Sequence, residues 1–99
     1  MPNHAPNHAH FQDLSENGKA EQDLILNKEV VTLHAQGDPG STFDIIIEDQ
    51  AGNEKLVKKG CQNISGRWGE RINLKLTDSY HKLRVENVKG TKSLDVFCE

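Results

Sequence analysis

The side chains of this chain that can do chemistry are its histidines, two cysteines, one tryptophan and a set of scattered carboxylates, and their spacing decides what chemistry is open to them. The opening MPNHAPNHAHF is a near-duplicated Pro-Asn-His-Ala stretch that places His4, His8 and His10 close together. With Met1 removed ahead of Pro2, the terminal amine, two deprotonated backbone amides and the His4 imidazole supply four nitrogens, the square-planar set that Cu(II) or Ni(II) favours. His8 and His10 add further imidazoles. The same residues also compose an ordinary solvated tail, which is the reading preferred here. No other metal or cofactor is expected.

Cys61 and Cys98 fit either one disulfide or two buried thiols. Cys98 closes the last apolar run and Cys61 follows a glycine, a placement that favours a bridge stapling the C-terminal strand to an inner one. A bridge in turn tilts the localisation toward an oxidising, extracytoplasmic compartment, secreted or in the cell envelope. Neither cysteine has a second one nearby, so a C-x-x-C redox or zinc pattern is missing.

Trp68, with Arg67 beside it, lies in SGRWGER between glycines, a setting in which an aromatic ring can anchor a protein partner or a polysaccharide. The parity of Trp68 nevertheless matches Ile72, Leu74 and Leu76, which turns it toward the core. A sugar platform would need more exposed rings than a chain with 5 % aromatic residues readily supplies. His34 falls on the polar side of its run and His81 at the SYHK turn, so both are expected in solvent. Asp38, Asp49, Asp78 and Asp95 mark loop ends without the order of a calcium loop. Asn63-Ile64-Ser65 spells a glycosylation acceptor.

Catalytic constellations are absent from the sequence: no G-x-S-x-G, no H-E-x-x-H, no glycine-rich phosphate loop. Adjacent carboxylates such as Glu48 and Asp49 point to opposite sides of a strand and do not converge on one substrate. The expectation is a non-enzymatic binding module acting through its surface on a protein or polymer partner. The alternatives are a Cu(II) or Ni(II) protein using the His-rich tail and a carbohydrate-binding module centred on Trp68.

These side chains must be positioned by a chain of 99 residues, enough for one small domain. Hydrophobic residues at 34 % and charged residues at 27 % place it among folding rather than disordered sequences. Its 12 basic residues are scattered and outnumbered by 15 acidic ones, so the basic patch of a nucleic-acid binder is lacking. No apolar run approaches the ~20 residues of a membrane span.

Residues 1–22 carry few large apolar side chains and read as a flexible polar tail; residues 23–99 read as one domain. In the latter, β-branched runs alternate with turn residues, and the pattern predicts about six to seven strands. Val31 and Leu33, Phe43, Ile45 and Ile47, Ile72, Leu74 and Leu76, Leu83 and Val85, and Leu94, Val96 and Cys98 recur with a period of two. One wet and one dry face per strand is the mark of an antiparallel sheet packed on one side, so the fold expected is an all-β antiparallel β-sandwich. The order Cys61, Trp68, Cys98 copies that of antibody domains, but the intervening chain is too short for their strands. Gly52-Asn53 and Lys89-Gly90 each predict a hairpin, and Asp38-Pro39-Gly40 a tight turn.

Overall fold

The computed structural model describes residues 8–15, 18–26, 28–75 and 80–99. Within them the chain forms eight strands: β1 (His8–Phe11), β2 (Gly18–Ile25), β3 (Val30–Gln36), β4 (Thr42–Asp49), β5 (Glu54–Gln62), β6 (Arg67–Asn73), β7 (Tyr80–Lys89) and β8 (Leu94–Cys98). They build two four-stranded sheets, β1-β8-β3-β6 (sheet A) and β2-β7-β4-β5 (sheet B). Every pairing is antiparallel. The expected sandwich is the fold observed.

The alternation read from the sequence is what closes the two sheets on each other. Leu33, Ala35, Leu94 and Val96 from sheet A meet Phe43, Ile45, Ile47, Leu83 and Val85 from sheet B, all buried in one core. The short axis of the molecule, 22 Å, is what two layers about 10 Å apart require once outward side chains are added. Ile46 departs from strict alternation: it is buried although it lies on the outer side of β4, with Val57 and Arg84 as its cross-strand neighbours. Asn87, at φ 53°, interrupts the alternation of β7, so that Val88 rather than Asn87 turns inward.

Topology is where pattern and structure part. Among the strands of the described residues, only β4 and β5 are consecutive and paired in one sheet, through the hairpin at Gly52-Asn53. The hairpin expected at Lys89-Gly90 is instead an arch, because β7 belongs to sheet B and β8 to sheet A. The first strand pairs with the last, the second with the seventh, the third with the sixth and the fourth with the fifth. This is the double Greek-key winding of a jelly roll.

Ahead of Asp23, the described residues include strands. The span 1–22 contributes β1 and the first half of β2. β1 is held by pairing with β8 and by burial of Ala9 and Phe11, while the Leu14 amide donates to the Lys92 carbonyl at 2.8 Å. The outer half of β2 owes its place to pairing with β7, where Glu21 meets Arg84 in register and Lys82 at 3.7 Å. Ala9, Phe11 and Leu14 supply the few apolar anchors of this segment, and strand pairing supplies the rest.

Candidate binding face

Each sheet presents an outer face with its own arrangement of charges and rings. On sheet B, the Arg84 guanidinium reaches Glu48 at 2.8 Å, Glu86 at 2.6 Å and Glu54 at 3.4 Å. The hydrogen bond that the guanidinium donates to Glu48, ahead of the charges of Glu48 and Glu86, holds it still more firmly protonated than usual. Lys82 and Glu21 extend the network. Lys19 and Lys59, exposed on β2 and β5, stand outside this network and make no ion pair among the described residues.

Sheet A is organised in cross-strand rows by its register. One row is His10, Asp95, Gln36 and Arg67; the next is His8, Phe97, His34 and Gly69. Beyond them, Glu99 faces Thr32 through reciprocal backbone hydrogen bonds of 2.9 and 3.3 Å, and Thr32 faces Arg71. His8 Nε2 and His10 Nδ1 both approach Asp95 Oδ1, at 3.0 and 2.6 Å. A carboxylate oxygen can only accept, which places a proton on each of those two nitrogens. The Phe97 ring lies between His8 and His34, with centroid separations of 4.3 and 4.7 Å and nearly parallel planes. Such a rack, set by the spacing of adjacent strands, turns ring edges to solvent and covers both faces of the phenyl.

On the β6 side the face changes character. Arg67 and Arg71 flank Gly69 on the outer side of the edge strand and are exposed. Neither makes an ion pair or side-chain hydrogen bond among the described residues. Gly69 offers no side chain next to His34, so the row ends in a notch between two guanidinium groups.

The structure brings His8, His10 and Arg67 onto this one face and sends Trp68 to the other side of β6. Trp68 is half-buried opposite Ala35 and meets the Phe43 ring edge-on at a centroid distance of 6.0 Å. Its indole closes the core at the open edge, where the ion pair of Lys58 with Glu70 ties β5 to β6. His4 and Asp78 lie outside the described residues. Among those described, no group of three or more His, Cys, Asp or Glu side chains could hold a metal ion.

The disulfide is a correction: Cys61 and Cys98 are separate buried thiols. Cys61 sits on the edge of sheet B opposite Phe43, while Cys98 sits within sheet A opposite Leu33, so the two belong to different layers and different cross-strand neighbourhoods. Burial pushes the Cys61 thiol up to about 11, helped by the nearby Asp44 and Glu70 charges, and pushes Cys98 up to about 12. The extracytoplasmic inference, which leaned on a bridge, loses that support.

Two other residues, His81 and Asn63, sit otherwise than the sequence implies, whereas Asp49 caps a turn as its place at a loop end suggests. His81 is buried on the inner side of β7, opposite Leu24 and Asp49, rather than in a solvated turn. Asn63 is buried too, with its amide nitrogen donating to Ser41 Oγ at 2.6 Å, so the atom that would carry a glycan is engaged inside the fold. Asp49 organises the β4–β5 hairpin: its carboxylate accepts from the Ala51 and Asn53 amides and the Asn53 side chain at 2.9 to 3.0 Å. The Asn53 side-chain bond is the leading cause that holds Asp49 below the usual carboxylate range.

A cleft of about 510 Å³ opens beside that hairpin, among Asp23, Glu48, Asp49, Tyr80, His81 and Lys82. Two of its carboxylates already have structural work, Asp49 in the turn and Glu48 on Arg84. Among the described residues no helix is long and apolar enough to cross a membrane. In comparisons with known proteins, no family matches the chain and no curated sequence matches it.

Proposed function

We propose that this chain is a non-enzymatic β-sandwich module that recognises a protein partner through the outer face of sheet A. The observation that carries the reading is the pair of exposed arginines, Arg67 and Arg71, that flank Gly69 on one edge strand and make no ion pair or side-chain hydrogen bond among the described residues. Two exposed guanidinium groups with unused donors favour an acidic partner, because Arg pairs with carboxylates through parallel hydrogen bonds. The sugar reading is weaker on the same grounds, since Trp68 lies against Phe43 and both faces of Phe97 are covered.

Capture of partners by immobilised protein tests the reading when three forms are compared: the wild type, the double variant Arg67→Glu with Arg71→Glu, and Lys82→Glu on sheet B. Partners retained by the wild type and by Lys82→Glu but lost by the double variant support it. A set of partners indifferent to the sheet A change, or lost equally from both variants, refutes it.

A further inference from the structure

The β6 strand ends sheet A, and its backbone register reveals which of its polar groups face outward. The Gly37 amide donates to the Gly66 carbonyl at 3.1 Å and the Leu74 amide to the Glu29 carbonyl at 2.7 Å, at the two ends of the β3–β6 ladder. In an antiparallel pair the hydrogen-bonded positions alternate. Between those ends, Trp68, Glu70 and Ile72 therefore direct their amides and carbonyls toward β3, and Arg67, Gly69, Arg71 and Asn73 direct theirs away from it. Arg67 is already engaged: its carbonyl accepts from the Ile64 amide at 2.8 Å and its amide donates to the Ile64 carbonyl at 3.1 Å. Gly69, Arg71 and Asn73 remain, an open run of backbone donors and acceptors with no partner among the described residues.

Two of the other edges are managed differently. β1 is short, and Gln22 caps its His8 carbonyl at 2.9 Å. β5 is bent by the left-handed Gly60 and studded with lysines. β6 has neither device.

What prevents β6 from pairing with itself is charge. A two-fold pairing centred on Gly69 sets Arg67 against Arg71 of the other copy, and one centred on Arg71 sets that arginine against its twin; like charges directly opposite are destabilising. The same arginines attract a strand of the opposite pattern. The chain already contains such a strand on the other side of β3, where Asp95, Phe97 and Glu99 occupy the rows that Arg67, Gly69 and Arg71 complete.

Resting on the reading of sheet A as the binding face, we infer that the β6 edge accepts an extended acidic segment of a partner protein as a fifth strand, of the pattern acid–x–aromatic–x–acid. The carboxylates pair with Arg71 and Arg67, the aromatic ring fills the notch over Gly69, and the backbone bonds to Gly69, Arg71 and Asn73. The pattern reads the same in both directions, so parallel and antiparallel addition share it.

The test uses the full chain and two synthetic peptides, Thr-Glu-Val-Tyr-Val-Glu-Thr and its counterpart with Lys for both Glu, followed by amide NMR and hydrogen exchange. The glutamate peptide is expected to slow exchange at Gly69, Arg71 and Asn73 and to leave Trp68, Glu70 and Ile72, already bonded to β3, as they were. Arg71→Glu with Arg67→Glu should weaken that peptide by about tenfold and reverse the preference toward the lysine peptide. Equal binding of both peptides by the wild type, or binding that leaves Gly69 and Arg71 unprotected, overturns the inference. If neither peptide binds while partner capture still depends on sheet A, the edge inference falls alone; if capture is also insensitive to sheet A, the underlying reading falls with it.

Discussion

Replacing Cys98 by alanine gives a test of the buried, unbridged thiol that depends on the sign of a titration. Cys98 is 3 % exposed, and burial pushes its thiol up to about 12 from an ordinary 9.0. A group whose pKa rises on folding stabilises the fold fully below its unfolded value, and that contribution is lost as pH climbs toward the folded value. The window therefore opens near pH 9 and runs toward pH 12. At about 1.4 kcal/mol per pH unit, moving from about pH 8 to about pH 10.5 costs the wild type about 2 kcal/mol through this one group. Cys98→Ala has no such proton to lose, and whatever constant offset its smaller side chain brings is the same at both pH values. Urea denaturation of both proteins at the two pH values should thus show the difference in unfolding free energy shifting by about 2 kcal/mol in favour of the variant at the higher pH. Every other group that titrates in this range is common to both chains and cancels. An unchanged difference refutes the reasoning, and a difference that responds to reductant instead would restore the disulfide.

Two further predictions concern the ends of sheet A. Ser65 at φ 57° and Gly66 at φ 90° form the two-residue turn that Ile64 and Arg67 close, a geometry for which Asn-Gly is the favoured pair. Ser65→Asn should raise stability by about 0.5 kcal/mol and Tm by about 2–4 °C in a thermal melt; an unchanged or lower Tm would count against the turn. Asp95→Ala removes the acceptor shared by His8 and His10 and should cost about 1–2 kcal/mol. Hydrogen exchange should then accelerate first in β1, and uniform acceleration across both sheets would show that Asp95 does not hold that strand in particular.

The candidate face was legible in the sequence only piecemeal. Trp68 draws notice to its neighbour Arg67, yet one step along a strand turns the two side chains to opposite faces, and only Arg67 points outward from sheet A. His8 and His10 stood out as possible ligands, but Asp95, which engages both, lies at the far end of the chain and announces nothing by its local spacing. Arg71 and Gly69 gave no separate signal. Their meaning comes from the rows they complete across β3 and from the open edge beside them.

An all-β fold of strands packed on one side is legible without coordinates, because period-two alternation in Phe43, Ile45 and Ile47 or Leu94, Val96 and Cys98 forces one dry face per strand whatever the partners. The sequence by itself determined the β4–β5 hairpin as well, since Gly52 and the Asp49 turn act over a few residues. Tertiary structure alone decided which sheet each strand joins, turning the Lys89-Gly90 turn into an arch, recruiting β1 and β2, and parting the two cysteines. Local propensity and burial pattern carry no label for the partner strand: a strand with one apolar face satisfies it equally in either layer. The choice falls to long-range packing and backbone pairing, which depend on all eight strands at once.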